Sequence, residues 1–124
     1  TMFLEVWPRL GADWVDGSGL SKTFRLWVLA DKGRDRVWGG AGDDFVNGAQ
    51  GMDRIWGGGG NDWLRGGLAD DLVFGGEGAD YLLGMDASDR IDGGPGPDDI
   101  YCGPGSDTAV SDSADKVRLC EHYA

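Results

Sequence analysis

Hydrophobic residues in this chain fall on a fixed beat. From Ala30 to Val110 one aliphatic side chain recurs at every ninth position, at Val37, Val46, Ile55, Leu64, Val73, Leu82, Ile91 and Ile100, with Ala109 in the ninth place. Two places before each stands an aspartate: Asp35, Asp44, Asp53, Asp62, Asp71, Asp80, Asp89, Asp98 and Asp107. In nine-residue blocks counted from Ala30, the aspartate is column six and the aliphatic residue column eight. Columns one, two and four hold 20 of the 24 glycines, and no insertion or deletion breaks the register. Each block therefore divides into a glycine turn and a three-residue strand. The turn can adopt positive φ and leave its carbonyls bare. In the strand the middle side chain points inward and its two neighbours outward. Two blocks make one coil, with a strand on each of two sheets, so that positions 18 apart lie above one another. The expected fold is an all-β, right-handed parallel β-roll or β-solenoid, whose nine blocks stack over roughly 22 Å at about 4.8 Å per coil.

The flanks do not share the glycine pattern. Phe3 to Trp7 and Thr23 to Leu29 read as strands, with Gly11, Gly17 and Gly19 marking turns between them. Val28 stands one block length before Val37, so Ser21 to Leu29 forms a first rung in register. Its column six is Leu26, which cannot bind a cation. The preceding residues are expected to fold over the end of the stack, because a solenoid end exposes strand edges and core. The division is thus 1–29 as an N-terminal β cap and metal-free rung, 30–110 as the repeat, and 111–124 as a C-terminal cap.

Charge sharpens the reading of column six. The net charge is -11, and without the nine aspartates 13 acids would face 11 bases. The acidity is concentrated in one repeating position, which disfavours nucleic acid and anionic membranes as partners and favours cations. No transmembrane stretch or signal peptide is visible. The chain opens on Thr1 rather than Met, so a removed leader or a larger upstream part is expected.

One aliphatic side chain per half coil is a thin core, too thin to offset the ordering of so many glycines. Hard divalent cations supply what is lacking. Ca²⁺ takes six to eight oxygens, including carboxylates and backbone carbonyls, in flexible geometry. The column-six aspartates, with carbonyls of loops such as Gly40, Gly42, Gly58, Gly60, Gly76 and Gly78, form such cages between coils on one side. Pairing each block with the block after next gives up to about seven Ca²⁺ ions on that coordination logic. Mg²⁺ suits the sites less well because it demands strict octahedral geometry. Zinc is disfavoured, since His122 is the one histidine and the two cysteines are better explained as a pair.

The repeat closely resembles the Gly-Gly-x-Gly-x-Asp-x-U-x nonapeptide of RTX proteins, the calcium-binding parallel β-roll. The resemblance covers residues 30 to 110. It implies calcium held between successive turns by column-six carboxylates and glycine-loop carbonyls, in a protein that is exported. Departures from the pattern are local: Ala69 and Ala87 at column four, and Asp31, Ala49 and Met85 at column two. The weakest turns are expected at Leu68–Asp71 and Met85–Asp89.

Cys102 and Cys120 lie 18 apart in sequence, as two free thiols or as a disulfide. The disulfide is favoured because the chain otherwise looks extracellular. The tail around them resembles the ends of calcium-binding repeat proteins from bacteria that export through Sec or Tat. A bridge there would hold Val117 and Leu119 over the final coil as a cap.

Because alternate blocks share a face, the outward columns form rows. Column seven of one face reads Trp27, Phe45, Trp63 and Tyr81, and column nine of the other reads Trp38, Trp56 and Phe74. Beside the second row run Arg36, Arg54, Leu72 and Arg90. Such rings stabilise a sheet by stacking, form a contact surface for another copy or a partner, or offer flat faces to sugars. No catalytic residue is assigned. His122 stands alone, and the pairs Asp43-Asp44, Asp70-Asp71 and Asp98-Asp99 fall where the repeat demands its aspartate. The expected function is that of a secreted, bacterial cell-surface, non-enzymatic β-roll that associates with itself, as a filament or matrix subunit, or with an extracellular partner. The alternative is a C-terminal folding or export module of a larger RTX enzyme, adhesin or toxin.

Overall fold

The computed structural model describes residues 2–6 and 11–123. It is built of strands: β1 (Met2–Val6), β2 (Trp14–Asp16), β3 (Phe24–Leu29), β4 (Arg36–Trp38), β5 (Phe45–Asn47), β6 (Arg54–Gly58), β7 (Trp63–Gly67), β8 (Leu72–Gly76), β9 (Tyr81–Met85), β10 (Arg90–Asp92), β11 (Asp99–Tyr101), β12 (Thr108–Val110), β13 (Lys116–Arg118) and β14 (His122–Tyr123). Odd-numbered strands make one seven-stranded sheet and even-numbered strands the other, each in sequence order. Every pairing is parallel, and through the repeat the partners stand two blocks apart, as Val37 with Ile55 and Val46 with Leu64. The chain is an all-β parallel solenoid, as the regular beat requires.

The core is a single file of column-eight side chains between the sheets. Val37, Val46, Ile55, Leu64, Val73, Leu82, Ile91, Ile100 and Ala109 are all buried, with Leu26, Val28 and Ala30 ahead of them and Cys102 near the end. In mid-stack the strands outgrow the expected three residues. β6, β7, β8 and β9 have five each, running on into columns one and two of the next block.

Both ends continue the coil. Residues 2–6 and 14–16 do not lie across the stack; β1 pairs with β3 and β2 with β4, in register but at a sequence spacing of 22. The N-terminal cap is therefore one further coil, lengthened in its turns. Trp7, expected at the end of the first strand, lies outside the described residues. At the other end β13 pairs with β11 at a spacing of 17 and β14 with β12 at a spacing of 14, so the tail adds a coil as well. Leu119, at φ 50°, follows β13, and Cys120 then restores the separation of 18 from Cys102. The two form a disulfide, with their Cα atoms 5.0 Å apart. That is close to the spacing of neighbouring strands, so the bridge staples the last coil to the one before it.

The turns line two opposite edges. The first edge comprises residues 30–35, 48–53, 66–71, 84–89 and 102–107. The second comprises 39–44, 57–62, 75–80 and 93–98.

Candidate metal centre

All nine column-six aspartates are buried, at 0–3 % exposure. A polar group so placed must be satisfied or it is costly. One oxygen of each is satisfied in the same way. On the first edge the backbone N–H of Asp35 donates to Asp53 Oδ1 at 2.9 Å, that of Asp53 to Asp71 at 2.8 Å, of Asp71 to Asp89 at 2.8 Å and of Asp89 to Asp107 at 2.8 Å. On the second edge Leu26 donates to Asp44, Asp44 to Asp62, Asp62 to Asp80 and Asp80 to Asp98, at 2.7–2.9 Å. The column-six carbonyl meanwhile accepts the column-seven N–H one coil on, as Asp62 does from Tyr81 at 2.8 Å. The carboxylate thus carries the sheet's ladder one step further, into the turn.

Two ladder members were not visible as repeats. The N–H of Asp13 donates to Asp35 Oδ1 at 2.9 Å, and the N–H of Asp98 donates to Asp115 Oδ1 at 2.9 Å. Asp13-Trp14-Val15-Asp16 and Asp115-Lys116-Val117-Arg118 both keep the aspartate two places before the inward aliphatic residue. That local signature could have found them, but spacings of 22 and 17 hide them from a strict comb.

The second oxygen is what remains. Oδ2 of Asp35, Asp53, Asp62, Asp71, Asp80, Asp89, Asp98 and Asp107 is buried without a hydrogen-bond partner, as is that of Asp13. Asp44 is the exception, its Oδ2 accepting the Gly40 N–H at 2.8 Å. Where column one is glycine, the orphan of that block faces it. A β-carbon at Gly57 would stand 2.5 Å from Asp62 Oδ2 and 2.5 Å from the carbonyl oxygen of Gly75 in the next coil. At Gly75 the same two neighbours are Asp80 Oδ2 and the Gly93 carbonyl, both at 2.6 Å, and at Gly84 they are Asp89 Oδ2 at 2.6 Å and the Cys102 carbonyl at 2.8 Å. Column one is glycine there because carboxylate and carbonyl oxygens of two coils converge where a side chain would begin.

Such a carboxylate resists ionisation when nothing balances it. Burial pushes Asp62 up to about 9, Asp71 to about 8, Asp53, Asp89 and Asp98 to about 7 and Asp80 to about 6. The ladder hydrogen bonds pull the other way, and neighbouring carboxylates add to the rise. The file of aspartates is one charge system waiting for positive charge.

The donor set says which charge fits. No group of three or more His, Cys, Asp and Glu side chains converges among the described residues. A cation between two coils must therefore draw on one orphan oxygen per coil and fill its remaining positions with backbone carbonyls. That suits a hard, oxygen-seeking ion of flexible coordination, which is Ca²⁺ rather than Zn²⁺. Bound there, the ion would cancel carboxylate charge and tie successive turns together.

The turns reach this arrangement through positive φ at columns two and four, except 39–44, where neither Gly40 nor Gly42 adopts it. On the second edge Gly58, Gly60, Gly76 and Gly78 stand at φ 91°, 86°, 95° and 118°. On the first edge Asp31, Ala49, Ala69, Met85 and Ala87 occupy equivalent places at φ 69–80°. The turns 66–71 and 84–89, which the glycine pattern marks as weakest, carry three of these five residues, and Met85 and Ala87 share one turn.

Parallel strands and two files of buried, half-satisfied carboxylates define a calcium-binding β-solenoid. The model of the RTX calcium-binding nonapeptide repeat, in four copies, matches residues 27–53, 48–82 and 74–109. Those spans cover more than half of the chain, which belongs to this family. No curated protein and no solved structure matches the chain.

The outward rows stand as the register places them. Phe45 and Trp63 stack with centroids 4.4 Å apart at 3°, and Trp38 and Trp56 at 4.8 Å and 2°. Trp56 with Phe74 and Trp63 with Tyr81 are stacked more loosely, at 5.8 and 6.4 Å. Trp14, in register with Arg36 in the neighbouring column, tilts against the end of the second row, 5.7 Å from Trp38. Where rings stack face to face, as Trp38 on Trp56 and Phe45 on Trp63, the shared faces are closed to a sugar, whereas Trp27 meets Phe45 edge-on at 70°. The most exposed rings stand at the ends of the rows, with Trp14 at 70 %, Trp27 at 45 % and Tyr81 at 39 % exposure.

Proposed function

We propose that the chain is an exported, non-enzymatic structural solenoid whose folding is driven by calcium and which assembles with copies of itself. The single observation behind the calcium role is the file of buried Oδ2 atoms, which in mid-stack converge with a carbonyl of the next coil. Asp35, Asp44, Asp53, Asp62, Asp71, Asp80, Asp89, Asp98 and Asp107 are the ligands in this reading, holding about seven ions between coils on the two edges. Asp13 and Asp115 extend the ladders by one pair on each edge.

Export is supported by the family, whose repeats typically occur in secreted bacterial proteins, and by the disulfide, which persists in oxidising surroundings. No helix among the described residues is long and apolar enough to cross a membrane. Assembly is supported by the ends of the sheets and the rings beside them. Among the described residues β1 and β2 have strand partners on one side only, and Leu4 and Trp14 are exposed at that end. Unpaired strand edges with apolar neighbours are templates for another chain. Negative-stain microscopy in millimolar Ca²⁺ should show filaments or sheets that disperse on chelation. Monodisperse single particles in calcium would overturn the assembly reading.

The same N-terminal end supports a second reading, in which an upstream part of a larger RTX enzyme, adhesin or toxin covers Leu4 and Trp14 and this chain is its folding module. The upstream coding sequence decides: a short leader favours assembly, a long open frame favours the module.

A further inference from the structure

The outward face of the even-numbered sheet carries a row that the calcium ladders do not use. Column seven there runs Trp14, Arg36, Arg54, Leu72, Arg90 and Thr108, in register across six strands. Arg34 stands at column five beside it. The four guanidiniums border an open groove of about 510 Å³ between this row and the first edge.

In a chain with 22 acids and 11 bases, arginines gathered on one face without carboxylate partners call for an explanation. Arg118 finds Asp99 at 3.5 Å, but Arg34, Arg36, Arg54 and Arg90 form no ion pair with the described residues. Arg36 is instead seated over the Trp14 ring, 5.1 Å from its centroid, a cation–π contact that holds it on this face. Asp35, Asp53, Asp71 and Asp89 line the floor, but they are buried and bound into the ladder. Among the column-five residues of the groove the one acid is Asp70, which already accepts the Ser88 N–H at 2.8 Å. With cations on the floor aspartates, the field in the groove is that of its arginines.

We propose that this groove binds an extended acidic polysaccharide through its carboxylate or sulfate groups, and that calcium loading makes it competent to do so. The proposal rests on the calcium reading for its second half. A guanidinium presents a rigid fork of donors that matches carboxylate and other planar or tripodal oxyanions. Arg36 and Arg54 are one strand apart, about 4.8 Å, and Arg54 and Arg90 two strands, about 10 Å. That is the interval of a sugar chain with an anionic group on each unit or every second one. Leu72 and the exposed Met52 offer apolar contact between the charges, and Ser88, Ser106 and Thr108 offer hydroxyls at the far end. Duplex nucleic acid carries one charge per roughly 1.7 Å of axis, far denser than four arginines can answer on an otherwise acidic protein.

The test uses the full chain in millimolar Ca²⁺ at physiological salt, with fluorescein-labelled hyaluronan and dextran sulfate as probes. Neutral dextran, poly-glutamate and a single-stranded oligonucleotide serve as comparisons. Hyaluronan and dextran sulfate should bind, dextran should not, and poly-glutamate and the oligonucleotide should bind at least tenfold more weakly. The double variant Arg54→Gln, Arg90→Gln should lose at least tenfold in affinity with an unchanged melting curve, and Arg118→Gln should bind as the parent does. Retained affinity in the double variant, equal binding of dextran, or a preference for poly-glutamate or the oligonucleotide would overturn the proposal. The melting curve with and without calcium, recorded on the same samples, reports separately on whether calcium stabilises the fold.

Discussion

The two edges of the solenoid solve the same problem with different residues. Every turn of the second edge is Gly-Gly-x-Gly before its aspartate, at 39–44, 57–62, 75–80 and 93–98. Every turn of the first edge departs from it somewhere. Ala30 and Cys102 put a β-carbon in column one, and Asp31, Ala49, Ala69, Met85 and Ala87 take left-handed φ at columns two and four. A non-glycine residue there costs roughly 1–2 kcal/mol. The second edge is thus free of that strain, and its column-one cradles are open throughout. The first edge tolerates strain, ends in the disulfide and borders the arginine groove. One edge repeats the glycine turn unchanged, and the other departs from it and borders the arginine-lined surface.

Removing calcium should defeat both edges and give the largest effect. One site held at a hundred times its Kd contributes about 2.7 kcal/mol, so a handful of sites matches the ~5–15 kcal/mol that holds an ordinary domain together. Chelation should abolish the β signal in circular dichroism or lower Tm steeply; an unchanged melt would contradict the ligand assignment. The sign of the pH dependence should also reverse. Without calcium, burial raises all nine aspartates, and Asp53, Asp62, Asp71, Asp80, Asp89 and Asp98 reach about 6 to about 9 against an ordinary 3.8. Their contribution is then fully present below the ordinary value and is lost as pH rises through the raised ones. Melting in chelator should therefore become easier from pH 5 to pH 9. In calcium the ionised form is the one bound, protons compete with the metal, and acidification should lower Tm.

Single ladder positions separate the edges. Asp80 follows a turn with glycine at columns one, two and four, and Asp89 follows Gly84-Met85-Asp86-Ala87. Replacement by Asn keeps an oxygen for the ladder N–H and removes the charge. Asp80→Asn should cost about 3 kcal/mol in calcium, on the scale of a buried ion pair broken from one side. Asp89→Asn should cost clearly less. In chelator both should stabilise, because burial holds both carboxyls well above the ordinary value. Urea melts of the four combinations check this, and equal losses in calcium would mean that the edges bind ions alike.

How far the sequence reveals these features depends on strict periodicity. Where the beat is unbroken, both the strand register and the buried aspartate can be read, because one residue of slip would turn Val37 or Ile55 outward. Asp13 and Asp115 escape because loops of different length bring them into the same ladder, and only chain closure in space shows it. The extra coil at each end escapes for the same reason: β2 keeps one glycine of its turn, Gly11 at φ 111°, outside the strict register, and β13 has none. The aromatic rows can be read as rows and stacking named as one use of them, but which rings close face to face, as Trp38 on Trp56, comes only from the structure. The unequal edges are written in columns two and four, yet they acquire meaning only once alternate blocks are known to share a side.

The smallest effects test that inequality most directly. Gly78 has φ 118°, and a β-carbon there would collide with the Gly60 carbonyl of the preceding coil. Gly78→Ala on the second edge should cost about 2 kcal/mol, the usual cost of forcing a residue into a sparsely populated conformation. Ala87 occupies the same column on the first edge at φ 78°. Ala87→Gly should relieve strain of roughly 1–2 kcal/mol but return about 0.4–1 kcal/mol to the unfolded chain's entropy. A net gain of a few tenths to about 1 kcal/mol is expected on these opposing terms, read as a rise in Tm in saturating calcium. A loss on Ala87→Gly would show that the first edge is built around its alanines, so that its departures are a second design of turn rather than a strained copy of the first.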